Sequence, residues 1–173
     1  FWAREGATRG IKEDVWLTQG GDNTAASYGE KGMPPAHVEL LKNAHPWLEW
    51  DNKLFVHGGF DPGKSLSEQS LETLIWDRKL INDAWKKYLR GEDHQYARFK
   101  EIFLGHTPTQ LFNSSQPLKL CNIRDLDTGA GWAGTLTIMD VHTKKYWQSD
   151  SVQSLYPGAV PRRAVRKLQL GDR

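Results

Sequence analysis

The sequence predicts an α/β protein, because helical and strand-like segments occur together along its 173 residues and are unevenly distributed. The first part carries apolar residues at helical spacing, whereas the second part is rich in short apolar runs bounded by turn residues. Helical segments also lie between the predicted strands, as in a sheet covered by helices. No internal repeat is present, so we expect one domain over residues 1–150 and a peripheral basic tail over residues 151–173.

The first part of the chain predicts three short helices. Two of them cover residues 11–17 and 23–28, on either side of a glycine pair, and Asp22 is a candidate N-cap for the second. The third covers residues 36–43, because prolines favour the first turn of a helix and a further proline follows the segment.

Strand signals begin at residue 47. Residues 47–50 and 53–57 form two apolar runs joined by Asp51 and Asn52, which favour a hairpin turn. Apolar residues then recur at helical spacing over residues 66–90, which predicts one long helix or two consecutive helices. A further short helix is expected just before Phe103. The remaining predicted strands cover residues 101–104, 118–123, 135–141 and 145–148, with a hairpin turn at 142–144.

Histidine stands beside glycine at the ends of two predicted strands, at His57 and at His106. Reactive groups collect beyond strand ends in open α/β sheets, because the sheet fixes them and glycine permits a sharp turn. Two imidazoles placed in this way can share one metal ion. On spacing alone, histidines that only satisfy turns are the commoner case.

Arg78 lies midway between these histidines and has two interpretations. Its planar guanidinium matches the oxygens of a phosphate group, but it is also placed to pair with Glu72 or Asp77. A glycine-rich turn at residues 126–132 contains an Asp-Thr-Gly tripeptide, which also occurs in aspartic proteases. Because those enzymes need a second carboxylate and no second copy is present, we interpret this segment as a turn, with Trp132 as a candidate cleft residue.

Taken in order, these motifs resemble the phosphoprotein phosphatase family of calcineurin-like metallophosphoesterases, especially its small bacterial and phage serine/threonine phosphatase members. The matching segments span about residues 10–150. They are Leu-Phe-Val-His-Gly-Gly at 54–59, Ile-Trp-Asp-Arg at 75–78, Phe-Leu-Gly-His-Thr-Pro at 103–108, Asp-Thr-Gly-Ala at 127–130, and an earlier Trp-Leu-Thr-Gln-Gly-Gly at 16–21.

The resemblance implies a metallophosphatase-type αββα sandwich with mixed sheets and a dinuclear metal centre that activates water. By position, His57 and His106 correspond to two ligands of the second metal, and Arg78 to the arginine that holds phosphate. The two divalent ions of the family site are manganese, iron or zinc, between which histidines and carboxylates do not discriminate.

Three motifs of the family are absent from this sequence: Gly-Asp-x-His-Gly, Gly-Asp-x-x-Asp-Arg-Gly and Gly-Asn-His-Asp/Glu. They supply the other metal ligands and the histidine that protonates the leaving group. Since the chain begins at Phe1 rather than methionine, we expect it to be the C-terminal portion of a longer domain.

The resemblance therefore predicts part of a hydrolase that removes phosphate from phosphoserine, phosphothreonine or phosphotyrosine, with a phosphorylated protein, peptide or small molecule as partner. A symmetrical dinucleoside polyphosphate hydrolase is the alternative enzyme, in which Trp85, Tyr88 or Trp132 would stack on a base. The remaining alternative is a binding module that has the same scaffold and no catalytic activity.

Composition limits the other partners. The formal net charge of +2 gives no general attraction to nucleic acid, and no apolar run reaches the length of a membrane span. Cys121 is the single cysteine, so an intrachain disulfide is excluded and a reducing, cytoplasmic location is expected.

Overall fold

The computed structural model describes residues 21–158, which belong to two compact units that meet in the sequence between His45 and Pro46. The first unit is therefore described over residues 21–45 and the second over residues 46–158. Within this described part of the chain, no helix is long and apolar enough to cross a membrane.

Residues 21–45 of the first unit contain two α-helices, α1 (Asp22–Tyr28) and α2 (Pro35–Lys42). The predicted start of α2 is confirmed, because Pro34 occupies the N-cap and Pro35 the first helical position. The prediction that Asp22 caps α1 is wrong. Gly21 is the N-cap, and the Asp22 carboxylate accepts a hydrogen bond from the neighbouring Asn23 amide at 2.8 Å.

The second unit is built on a mixed five-stranded sheet with strand order β1-β2-β3-β5-β4. Strands β2, β3 and β5 run parallel to one another, while β1 and β4 are antiparallel edge strands. The strands are β1 (Trp47–Trp50), β2 (Lys53–Val56), β3 (Glu101–Leu104), β4 (Leu118–Leu120) and β5 (Ile123–Asp125). The α/β class and its mixed sheet are thereby confirmed.

Two tight turns shape the antiparallel edges of this sheet. Asp51 and Asn52 both have positive φ, at 49° and 56°, as the twist-compatible two-residue hairpin turn requires, so the predicted β1–β2 hairpin is confirmed. The prediction of one strand over residues 118–123 is wrong. Cys121 has a φ of 56° and the chain reverses there, so that β4 and β5 form a second hairpin.

The pattern over residues 66–90 produces two helices rather than one, namely α3 (Leu71–Trp76) and α4 (Lys79–Leu89), after a 3₁₀ turn at Leu66–Glu68. Each start has a side-chain acceptor: the Ser70 hydroxyl accepts from the Thr73 amide, and the Asp77 carboxylate accepts from the Leu80 amide at 2.9 Å. The carboxylate at Asp77 thus marks the break between the helices and the start of α4.

The core lies between these helices and one face of the sheet. Alternate strand residues point into it, among them Leu54 of β2 and Ile102 of β3, which are neighbours in the parallel register. Leu74 of α3 and Ile81 of α4 belong to the same buried cluster. On the opposite face, the rings of Phe55 and Phe103 stack with centroids 4.8 Å apart.

A separate two-stranded sheet follows, formed by β6 (Thr137–Met139) and β7 (Tyr146–Gln148), and the predicted turn at 142–144 joins them. Ile138 and Trp147 pair across this hairpin, and both are exposed. A short helix, α5 (Val152–Leu155), completes the described chain. The four-layer αββα sandwich stays a prediction.

Three further expectations have mixed outcomes. The prediction of a short helix before Phe103 is wrong, because residues 92–100 contain no helix. The helix expected at 11–17 and the basic part of the tail, at 159–173, lie outside the described residues.

Candidate metal and phosphate site

His57 and His106 come together directly beyond the carboxyl ends of β2 and β3. These strands are adjacent and parallel, so the residues that follow them meet at one edge of the sheet. The Gly105 amide donates to the His57 carbonyl at 3.0 Å, which extends the contact past the strand ends. The two imidazole centroids lie 5.1 Å apart. The structure therefore places the two histidines as the sequence pattern predicts.

The ring of His106 is held so that one of its nitrogens stays available. Its Nε2 atom is buried and has no hydrogen-bond partner among residues 21–158. The backbone of Trp76 forms a hydrogen bond with the imidazole, and the Trp76 ring packs edge-on against it, with centroids 5.1 Å apart. A ring nitrogen without a partner can offer its lone pair to a cation, as in metal-ligating histidines.

The environment keeps His106 neutral. Burial lowers its pKa to about 4, with the positive charges of Arg78 and His57 as further causes, and the bond to the Trp76 backbone only partly opposes the shift. Its backbone lies in the left-handed region at a φ of 65°. A neutral imidazole with an open lone pair is the form that binds a cation.

His57 is the more exposed of the two histidines. Partial desolvation lowers its pKa as well, and the nearby Asp127 carboxylate acts in the opposite direction. The two neighbouring rings are therefore both kept from acquiring a proton, which would otherwise repel a metal ion.

The Gly58 turn connects this pair to Arg78. The Gly58 amide donates to the Leu74 carbonyl at 2.7 Å, and a Cβ at Gly58 would lie 2.6 Å from the carbonyl carbon and oxygen of Ile75. Only glycine permits so close an approach, so the end of β2 is pressed against the end of α3. Arg78 follows two residues after α3 and forms the N-cap of α4.

Arg78 is exposed and forms no ion pair with Glu72, Asp77 or any other described residue. The Asp77 carboxylate instead accepts from the Leu80 amide. Since the charge of Arg78 acts on the His106 ring, its guanidinium lies within electrostatic range of the histidine pair. The structure thus favours a free cation here over the helix ion pair that the sequence left open.

Behind the histidines, strand β5 ends in a buried carboxyl group. Asp125 is fully buried, and its Oδ2 atom has no partner among the described residues, while Oδ1 accepts from the Asp127 amide at 3.1 Å. Burial raises the pKa of Asp125 well above its usual value, with a smaller effect of the Asp127 charge in the same direction. We missed Asp125 in the sequence, although the alternation from Ile123 places it on the inward face.

The Asp-Thr-Gly segment is a structural turn, as predicted. The Asp127 carboxylate accepts from the Gly129 amide at 3.0 Å, and its carbonyl accepts from the Thr109 amide at 2.8 Å. These bonds connect the end of β5 to the loop after His106, so the turn fixes the loops around the site. Its own carboxylate also acts electrostatically on His57, a role that the sequence pattern did not reveal.

The donor set fits a metal in kind but not in number. Two neutral imidazoles suit manganese, iron or zinc, yet no group of three or more His, Cys, Asp or Glu side chains is placed to bind a metal within residues 21–158. A tightly bound ion needs more protein ligands than two. The described residues therefore provide part of a metal site.

The aromatic residues considered for base stacking have other contacts. Trp85 packs against the core, lying over Phe112 with centroids 5.1 Å apart and stacking on Tyr88 at 5.7 Å. Trp132 is partly buried in the turn that its amide closes on Gly129.

Neither a comparison with models of protein families nor a search of curated proteins finds a match to this chain.

Proposed function

We propose that this chain forms the second-metal and phosphate-binding part of a metal-dependent phosphoesterase that hydrolyses phosphomonoesters of serine, threonine or tyrosine. The observation that carries the proposal is the buried Nε2 atom of His106 beside His57, with Arg78 nearby; neither Nε2 nor the Arg78 guanidinium has a partner within the part of the chain that the structure describes. A buried polar atom without a partner costs free energy, so its presence at a strand end favours a ligand role.

Each side chain has a defined part in this proposal. His57 and His106 are the metal ligands, kept neutral by desolvation, and the Trp76 backbone orients the His106 ring. Arg78 binds the phosphate oxygens, since a guanidinium offers a planar fork of donors to two of them. When bound, a dinuclear metal centre supplies Lewis acidity and an activated water; its remaining ligands lie outside the set described above.

Metal binding is tested first, because it does not require turnover. In the full-length gene product, His106→Ala and His57→Ala should each weaken manganese or zinc binding by at least about 100-fold, since even the removal of outer-shell partners costs 10- to 100-fold. Calorimetric titration with each metal provides the measurement. His45→Ala is the matched control, because His45 is exposed and lies in the first unit. Unchanged metal affinity in both site variants would overturn the ligand assignment.

Phosphate recognition is tested with Arg78→Lys, which keeps the charge and removes the bidentate fork. Turnover of a phosphopeptide should fall at least about tenfold while metal content stays at the wild-type level. A parallel fall in metal content would show that Arg78 is structural.

The substrate class is tested by assaying the full-length protein on a phosphopeptide and on diadenosine tetraphosphate. Cleavage of the phosphopeptide supports the proposal. Cleavage of diadenosine tetraphosphate alone would favour the nucleotide hydrolase, and inactivity on both, with metal bound, would favour a non-catalytic module.

A further inference from the structure

A second polar region lies at the opposite end of the strands that lead to the histidines. A pocket of about 440 Å³ is lined by the first residues of β2 and β3, Lys53 and Glu101, and by Arg124 in the middle of β5. Because β2, β3 and β5 are parallel, this amino edge and the carboxyl edge with His57 and His106 are separate places on one sheet.

The lining of this pocket is electropositive. Five lysine and arginine side chains and three carboxylates contribute to it, an excess of two positive charges. The excess is local, because the whole sequence carries a net charge of only +2 over 173 residues. A concave surface with one predominant sign of charge concentrates the field and attracts an oppositely charged ligand.

Three of the five cations are already paired. Lys53 pairs with Asp51, and Glu101 accepts from both Arg124, at 2.7 Å, and Lys144. One carboxylate therefore balances two cations. Glu101 is itself largely buried, and although burial would raise its pKa, the hydrogen bonds and charges of Lys144 and Arg124 lower it overall.

The other two cations, Lys100 and Lys119, have no ion pair with any residue from 21 to 158. Lys119 lies directly opposite Arg124 in the antiparallel register of β4 and β5. Like charges in this position destabilise a sheet. The pocket therefore places Lys119, which has no ion pair among the described residues, opposite an arginine that shares its carboxylate partner Glu101 with Lys144.

Arg124 also has N–H donors that no described residue accepts from. Its Nε atom binds Glu101, and its two terminal NH₂ groups form no hydrogen bond with another described side chain or backbone group. A guanidinium edge between lysines is suited to an oxyanion, because the fork binds two oxygens while the ammonium groups neutralise charge.

We propose that this pocket is a second anion site, which binds a small molecule carrying two or more phosphate charges. Lys100, Lys119 and the free edge of Arg124 provide the contacts. The volume exceeds what one inorganic phosphate fills and lies within the range of small-molecule sites. The site is independent of the proposed metal chemistry, because none of its lining residues belongs to the histidine site.

The test is a calorimetric titration of the full-length protein with pyrophosphate, in the absence of added divalent ions. Lys100→Ala/Lys119→Ala should weaken pyrophosphate binding at least about tenfold, since each charge-assisted contact contributes substantially. Lys42→Ala/Lys86→Ala is the matched control, because it removes the same charge from exposed lysines outside the pocket, and it should bind like the wild type.

A further arm tests the chemical class of the anion: citrate should bind more weakly than pyrophosphate. The proposal is overturned by equal affinity in the lysine variant and the wild type, by the absence of binding, or by a preference for citrate. Circular dichroism of the lysine variant checks that it is folded, and an unfolded variant is replaced by Lys119→Gln, judged by the same criterion.

Discussion

The five-stranded sheet has a carboxyl edge and an amino edge, at the two ends of its parallel strands, and they differ in how their polar groups are partnered. At the carboxyl edge, His106 and Asp125 each keep a buried polar atom to which no residue from 21 to 158 bonds, and burial favours the neutral form of both side chains. At the amino edge, Glu101 is charged and accepts from two cations. Unpartnered polar atoms cost stability, so the carboxyl edge leaves buried polar atoms unsatisfied by the described residues, whereas the amino edge pairs its largely buried carboxylate and leaves only the exposed Lys100 and Lys119 without an ion pair.

The largest expected effect tests how tightly the carboxyl edge is packed. Gly58→Ala should destabilise the protein by about 3 kcal/mol, because its Cβ would overlap the Ile75 carbonyl and force β2 and α3 apart. Urea denaturation measures the change. Gly131→Ala is the control, since a Cβ there meets nothing within 4 Å and should change the stability by less than about 0.5 kcal/mol. Equal effects would show that the close approach at Gly58 is unimportant.

The second prediction concerns the neutral carboxyl of Asp125. Because its folded-state pKa is raised, the folded state retains a proton that the unfolded state releases above a pH of 3.8. Stability from this group is therefore greatest below that pH and falls as the pH rises towards the folded-state pKa.

Asp125→Asn should remove this decline. As the pH rises above 3.8, the wild type should lose stability steadily relative to the variant until the folded-state pKa of Asp125 is reached, because only the wild type carries the carboxyl proton that unfolding releases. Urea denaturation at each pH isolates the effect, because the other groups titrate in both proteins. Parallel pH curves would contradict a neutral Asp125.

At the amino edge, Glu101→Gln should destabilise by about 1.5 kcal/mol, because it leaves Arg124 and Lys144 without their shared carboxylate in a largely buried position. The same variant should bind pyrophosphate more tightly, since the pocket becomes more positive. Thermal unfolding with and without pyrophosphate measures both effects. A destabilisation that pyrophosphate does not reduce would contradict the charge argument.

The smallest effect is expected for Lys144→Met, at about 0.5 kcal/mol, because Arg124 still neutralises Glu101 when Lys144 is removed. The difference from the wild type should shrink as the NaCl concentration rises from about 0.05 M to about 0.5 M, since salt screens partly exposed pairs. A difference that is constant over this range would instead indicate lost packing, since Lys144 also lies over the Phe103 ring.

Local patterns in the sequence predicted the parts of the fold that depend on local interactions. The Asp51-Asn52 turn and the proline-initiated helix α2 were predictable because backbone preferences determine them. The reversal at Cys121 was not, because a cysteine with positive φ is imposed by its surroundings rather than favoured by the residue type.

The same distinction applies to the site. His57 and His106 were predictable because each follows an apolar run and adjoins glycine, whereas the orienting contact from Trp76 is made by its backbone, which has no sequence signature. The sequence could not predict that Arg78 forms no ion pair with Asp77. The Asp77 carboxylate accepts from the Leu80 amide at the start of α4 instead, and only the three-dimensional structure shows this bond.

The parallel pairing of β2 with β3 also has a consequence for the order of folding. The hairpins β1–β2, β4–β5 and β6–β7 each close over a few residues, whereas the pairing of Lys53 with Glu101 must close a loop that contains both α3 and α4. Loop closure opposes such distant contacts until others compensate, so they form slowly. His57 and His106 therefore come together only when β2 pairs with β3. The candidate site is thus expected to form late, after the hairpins.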